Sequence, residues 1–276
     1  MYKTLLVPVD GRSRSARSLE MAAKLASAFD AHVVGLFVKP SSYVPSYVAG
    51  EGEADTMRTL MRKRIDALAQ EARAQFDAGV KAGGVARPEW RLAEGPDVEA
   101  VTLHARYADL VVVNQTDPAA EDKAHFADRM LLSVGRPVLA VPYVGEFKAD
   151  AHSIMVCWSA TREAARAVSD ALPLLQRARK VTVLSVNPER SPQGHGESPG
   201  SDIALFLARH GVRAETSHTA AKDVDVGNLI LSRAYDMGAD LIVMGAYGHL
   251  RMQEIILGGA TRTVLASMTM PVLMSH

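Results

Sequence analysis

Asp240-Leu241-Ile242-Val243-Met244-Gly245-Ala246-Tyr247-Gly248, then after nine intervening residues Gly258-Gly259-Ala260-Thr261, is the stretch that decides the fold. An apolar, β-branched run that empties into glycines and then a helical pattern predicts a buried parallel strand feeding a loop at a helix N-terminus. Glycine suits such a loop because a ligand oxygen reaches a backbone N–H only where no Cβ intervenes, and because these turns call for positive φ. The spacing is Gly-x-x-Gly, nine residues, Gly-Gly. It is not a Walker loop, since no Gly-Lys-Ser/Thr follows, nor the dinucleotide Gly-x-Gly-x-x-Gly. The plainer alternative is a tight strand-to-helix turn that holds no ligand.

The same strand occurs earlier in the chain. Ala108-Asp109-Leu110-Val111-Val112-Val113 matches Ala239-Asp240-Leu241-Ile242-Val243-Met244, and both copies close on Pro-Val-Leu, at Pro137–Leu139 and Pro271–Leu273. Leu5-Leu6-Val7-Pro8-Val9-Asp10-Gly11 and the residues after it align without gaps to Ile154-Met155-Val156-Cys157-Trp158-Ser159-Ala160. Three matches in one order predict a duplicated domain, at 1–144 and 151–276, with the boundary in the polar stretch Tyr143–Ser153. A period this long excludes a solenoid.

Each copy alternates strand and helix patterns. The first predicts strands Thr4–Val9, Val33–Val38, Glu89–Ala93, Leu110–Asn114 and Val138–Val141, with helices Ser15–Phe29, Met57–Ala78, Val98–Arg106 and Asp128–Val134. The second predicts strands Ile154–Trp158, Val181–Val186, Arg213–His218, Leu241–Met244 and Val272–Met274, with helices Arg162–Leu175, Asp202–His210, Val226–Tyr235 and Thr261–Ser267. The expected class is α/β: two tandem, doubly wound, five-strand parallel-sheet domains, because right-handed crossovers cover both sheet faces with helices. A binding crevice is expected where strand order reverses, beside the strands ending at Asp10 or Ser159 and at Asn114 or Gly245.

Composition narrows the function classes. Apolar residues make up 48% and charged residues 22%, the profile of a globular protein with a proper core. Lys plus Arg equals Asp plus Glu, 31 each, so no global field recruits nucleic acid or an anionic membrane. Aromatics at 5% argue against a base-stacking surface. No run approaches the roughly 18 apolar residues of a membrane span. One cysteine and a start that runs directly into a strand pattern suggest a reducing, cytoplasmic setting.

Val7-Pro8-Val9-Asp10-Gly11, the Asp240–Gly245 run, the glycine loop and the terminal Pro271-Val272-Leu273 together resemble the universal stress protein family, and the whole chain resembles a tandem of two such folds. The resemblance implies a Rossmann-like, adenine nucleotide α-hydrolase-like fold. In ATP-binding members the first-strand Asp and adjacent backbone hold the adenosine end, and the glycine loop with its Ser/Thr holds the phosphates. Carried onto this chain, the second half supplies Ser159, Ala160, Met244, Gly245, Gly248, His249, Gly258, Gly259, Ala260 and Thr261 as nucleotide-binding residues. Ser159 stands where the family has Asp, and Gly259 where it has Ser or Thr; Thr261, two residues on, is the nearby hydroxyl. The first half keeps Asp10 but follows its fourth strand with Asn114-Gln115-Thr116-Asp117 and no glycine pair, and Asp117, Glu121 and Asp122 would repel a triphosphate. ATP is therefore expected in the second half alone.

Other residues carry less chemistry. Cys157 is expected as a small buried hydrophobe, and His195 lies in a loop without a second ligand at metal spacing, so no metal site is expected. Arg58, Arg62, Lys63 and Arg64 form a solvated helix face or an interaction surface. No catalytic residue is assigned: Glu254 is the only carboxylate in sequence near Gly245–Thr261. Three functions compete, namely a nucleotide-responsive regulator, a nucleotide-free scaffold of stress physiology, and, weakest, an enzyme. The resemblance also implies pairing of copies through their final strands, here an intrachain pseudo-dimer joining Val138–Val141 to Val272–Met274 in antiparallel fashion. A further homo-oligomer and the identity of a protein partner stay open.

Overall fold

The computed structural model describes residues 1–11, 15–40, 51–115, 126–145, 147, 151–188, 199–220, 224–248 and 259–276, with backbone alone at 51–54. The first half contains β1 (Thr4–Pro8), α1 (Ser15–Phe29), β2 (His32–Lys39), α2 (Glu51–Ala82), β3 (Pro88–Glu94), α3 (Asp97–Ala105), β4 (Leu110–Asn114), α4 (Phe126–Ser133) and β5 (Val138–Val141). The second contains β6 (Ser153–Cys157), α5 (Arg162–Leu175), β7 (Lys180–Val186), α6 (Ser201–Arg209), β8 (Ala214–Thr219), α7 (Val226–Asp236), β9 (Leu241–Gly245), α8 (Gly259–Ser267) and β10 (Val272–Ser275). Strand and helix alternate as the pattern requires.

All ten strands form one sheet in the order β3-β2-β1-β4-β5-β10-β9-β6-β7-β8. Pairing is parallel within each half, and the registers repeat: Leu5 faces Leu110 in the first half as Ile154 faces Leu241 in the second. Strand order reverses beside β1 and beside β6, which puts a crevice at the C-terminal ends of β1 and β4 and another at those of β6 and β9.

The two halves meet through β5 and β10, which pair antiparallel with Val272 opposite Ala140, Leu273 opposite Leu139 and Met274 opposite Val138. Leu139 and Leu273 are the equivalent residues of the two Pro-Val-Leu repeats, so the pseudo-two-fold axis passes between them. The expected edge strands therefore close on each other and leave no open edge at the centre of the sheet. Successive residues of each strand point to opposite faces. Leu5, Leu139, Val243 and Leu273 join a cluster on one face, and Leu6, Val138, Ile242 and Val272 a cluster on the other. Both clusters draw on both halves, so the core runs unbroken through the junction.

Helix α5 shows how local sequence fixes the site's wall. Ala164, Ala167, Val168, Ala171, Leu174 and Leu175 recur at helical spacing and are buried. Thr161 caps the helix, its Oγ1 accepting from the Ala164 N–H at 3.3 Å, a contribution of about 1 kcal/mol.

Candidate functional site

The site in the second half is assembled from the end of β9, the turn after β6 and the start of α8. Gly245 is the last residue of β9, and a Cβ there would stand 2.5 Å from the Ala164 backbone nitrogen and 2.7 Å from the Glu163 carbonyl carbon. Glycine is thus required by the close approach of the strand end to the first turn of α5. Gly248 is exposed, and a Cβ there would meet Glu163 Oε2 and Thr161 Oγ1, each at 3.0 Å. Positive φ is found elsewhere than the glycine spacing suggests: at Tyr247 (+56°) and Ala160 (+55°), with Gly245, Gly248 and Gly259 outside that region.

Ser159 is half-buried, its Oγ 3.2 Å from Thr161 Oγ1, and Ala160 forms the left-handed turn that leads into α5. The Met244 side chain is buried in the core cluster on one face of the sheet, so only its backbone reaches the crevice rim. Gly259 opens α8, exposed, and among the described residues Asp225 Oδ2, at 4.0 Å, is the nearest group to where a side chain would stand. Ala260 is half-buried behind it. Thr261 is buried, and its Oγ1 accepts from the Tyr247 N–H at 3.2 Å. That hydroxyl ties the loop to the helix, a structural duty the linear spacing did not suggest. His249 and Gly258 lie outside the described residues, as do Glu254 and the first half's Asp117, Glu121 and Asp122.

Sequence spacing did not place Glu163, Asp225 and Tyr247 at the site. The Glu163 side chain is buried beside Gly248 and hydrogen-bonded to Arg162. Burial by itself would raise its pKa, but the Arg162 bond, its own backbone N–H and the charges of Arg162 and His276 hold the carboxyl below the usual range. It is charged at neutral pH. Asp225 caps α7, accepting from the Asn228 N–H at 2.9 Å. Tyr247 is buried and donates from its hydroxyl to the Asp128 carboxylate in α4, on the other half. Burial, the Asp128 hydrogen bond and the Asp128 charge all raise its pKa, so the phenol stays protonated. Cys157, half-buried at the end of β6, has its thiol pushed up to about 12 by burial, consistent with an inert side chain.

The equivalent position in the first half is built from side chains. Asp10 accepts from the Ser15 hydroxyl, whose Oγ in turn accepts from the Asp10 N–H at 3.2 Å. Asn114 Oδ1 accepts from the Ser18 N–H at 3.1 Å, in the first turn of α1. Gln115 is buried and crosses to the second half, where its Nε2 donates to the Leu265 and Ala266 carbonyls at 2.9 and 3.0 Å. Among the described residues there is no cluster of three or more His, Cys, Asp or Glu side chains that could hold a metal ion. No described helix is long and apolar enough to cross a membrane.

Comparison with known proteins agrees with this architecture. Among curated proteins no sequence match is found. A universal stress protein from Archaeoglobus fulgidus DSM 4304 superposes with a TM-score of 0.75 at 15% identity, over 99% of this chain and 95% of the other. A functionally unknown protein from Pseudomonas aeruginosa PAO1 gives 0.61 at 15% identity, over 99% and 92%. A universal stress protein solved in complex with cAMP gives 0.37 at 22% identity, over 52% of this chain and 98% of that one. For the first two, at 15% identity, the likeness is one of fold. The model of the Universal stress protein family matches residues 1–142 and again 151–276. The chain therefore belongs to the universal stress protein family, which it matches twice in tandem.

Proposed function

We propose that this protein is a stress-response regulator that holds an adenine nucleotide, ATP in the first instance, in its second half. The observation that carries this reading is the glycine start of α8. Gly259 begins the helix, and among the described residues the group nearest to where a side chain would stand is Asp225 Oδ2, at 4.0 Å. First-turn amides of an α-helix have no intrahelical partner, and the helix dipole favours an anion there. Gly248 lies across the same crevice, at the switch point between β6 and β9. In this arrangement Ser159 and the Ala160 backbone face the ribose end, and Gly248, Gly259 and Ala260 the phosphates.

One observation favours the nucleotide-free scaffold instead. Glu163 puts a charged carboxylate beside Gly248, and Ser159 already shares a hydrogen bond with Thr161. Calorimetric titration of the full chain with ATP and with cAMP, together with mass spectrometry of whatever small molecule denaturation releases, separates the two. Saturation at no more than one ATP per chain is expected. Two equivalent nucleotides per chain would refute the assignment to the second half, and a chain that neither binds nor releases any nucleotide is the scaffold.

A further inference from the structure

Tyr247 sits between the two glycines of the loop with φ at +56°, a conformation that a bulky residue keeps only when its surroundings impose it. Those surroundings come from both halves. Its N–H is held by Thr261 Oγ1 at 3.2 Å and its hydroxyl by Asp128 of α4. Its ring meets the His276 ring edge-on at 6.4 Å, and His276 Nδ1 lies 3.0 Å from the Ala246 carbonyl. The Ala246 N–H in turn donates to the Ser275 carbonyl at 2.8 Å, tying the loop to β10, the strand that carries the junction. At the far end of α8, Gln115 of the first half holds the Leu265 and Ala266 carbonyls. The helix whose N-terminus faces the site thus has one end held by the first half, and the loop opposite is held by the same half.

We propose that Asp128 is a positioning residue for the second half's site: its hydrogen bond to Tyr247 fixes the Gly245–Gly248 turn, so that nucleotide binding depends on the docking of the first half against the second. For its ligand this rests on the nucleotide reading above; the clamp itself does not. The reason is geometric. Tyr247 is 5% exposed, and its hydroxyl loses its acceptor if the Asp128 carboxylate is removed. Relaxing Tyr247 away from the left-handed region rotates the peptide that precedes Gly248, and with it the amide that faces the phosphates. Because the ligand binds the ordered turn better than the relaxed one, docking and binding reinforce each other by mass action.

The test uses the full chain with Asp128→Ala, Asp128→Asn, Tyr247→Phe and the double variant Asp128→Ala/Tyr247→Phe. Affinity for ATP with Mg²⁺ should fall about tenfold in Asp128→Ala and in Tyr247→Phe, with the double variant no weaker than either single one. Asp128→Asn, which keeps an acceptor oxygen, should recover affinity to within about threefold of the parent. Recovery and non-additivity assign the effect to the Asp128–Tyr247 pair, and the local exchange pattern separates it from a general loss of stability. Hydrogen exchange without ligand should show faster amides at Tyr247 and Gly248 and in the first turn of α8 in Asp128→Ala, with α3 unchanged. A folded Asp128→Ala whose affinity and loop exchange equal the parent's overturns the proposal. If the parent binds no ATP, the nucleotide reading fails and loop exchange decides the clamp: faster exchange upholds it, unchanged exchange overturns it. Should Asp128→Ala not fold, Tyr247→Phe, which removes a single hydroxyl, decides by the same measurements.

Discussion

The ends of β4 and β9 occupy the same place in the two halves and are finished in opposite ways. At the end of β4, the Asn114 side chain reaches the first turn of α1 and accepts from the Ser18 N–H. At the end of β9, Gly245 has no side chain, and the first turn of α5 closes in until an added Cβ would stand 2.5 Å from Ala164. One residue further, Gln115 crosses into the other half, while Ala246, with no polar side chain, is buried. The difference teaches that a strand-end side chain can serve either the helix beside it or the neighbouring half, and that leaving it out lets the helix beside it close in on the strand end. The first half has put this position to use in the junction, and the second has kept it as backbone.

The sharpest way to break the comparison is to break the junction both halves share. Leu139 and Leu273 are 2% and 0% exposed and face each other across the antiparallel pair. Leu139→Lys with Leu273→Lys buries two charges and removes two large apolar groups, at a cost of several kcal/mol for each site. Circular dichroism is expected to show loss of the cooperative fold at room temperature, or a large fall in the denaturant midpoint. A near-parental midpoint would mean that the strands do not pair in solution.

Gly248→Asp imposes a first-half feature, a carboxylate in the loop, on the second half. Among the described residues its new Cβ would meet first the ends of the Glu163 and Thr161 side chains, at 3.0 Å, so the fold should persist with a small loss of stability. A second negative charge beside Glu163 should weaken ATP binding by about a hundredfold or more. Unchanged affinity in calorimetry, with a folded variant, would place any nucleotide elsewhere.

Gln115→Ala does the converse, giving the first half the side chain that the second half has at Ala246. The Leu265 and Ala266 carbonyls lose a buried donor, and a destabilisation of about 1–3 kcal/mol is expected in chemical unfolding. No loss at all would show that water replaces the amide there.

The smallest effect concerns Asp170, which stands in α5 where the repeat has the buried Met21 in α1. Burial raises its pKa, and the Ser275 hydroxyl bond at 2.8 Å and the charges of Arg166 and Arg136 only partly offset that. A raised pKa means the folded chain binds this proton more readily than the unfolded one just above the ordinary aspartate range. In that window the Asp170 contribution makes stability fall as pH rises, and it is favourable only on the acid side. Asp170→Asn should flatten that part of the stability profile and leave the chain no less stable at pH 7. A profile that keeps its slope would assign the effect to another group.

Much of the fold was legible because a parallel strand covered on both faces must be apolar throughout, as Leu110–Val113 and Leu241–Met244 are. The bounds expected for α1, α5, β4 and β5 are those observed. Helix α2 runs from Glu51 to Ala82 against an expectation of Met57 to Ala78, because its first turns are polar and carry no stripe to mark them. The glycine spacing carried no sign of the charged groups around the β9 turn. Glu163 reaches Gly248 from a different strand-to-helix turn, and Tyr247 meets Asp128 across 119 residues of sequence. Gln115 meets Leu265 across 150. Such contacts depend on how elements distant in the chain are brought together along one sheet, and no local spacing encodes that.

The antiparallel meeting of β5 and β10 has an evolutionary consequence. Two separate identical subunits joined by this seam would be bound to change together, since one substitution would appear on both sides of the axis at once. Fusion into one chain lifts that constraint and also makes assembly independent of dilution, because each copy carries its counterpart with it. Divergence can then proceed one side at a time. Gln115 and Tyr247 on opposite sides of the axis, each reaching across it with different chemistry, are what an asymmetric seam of this kind permits.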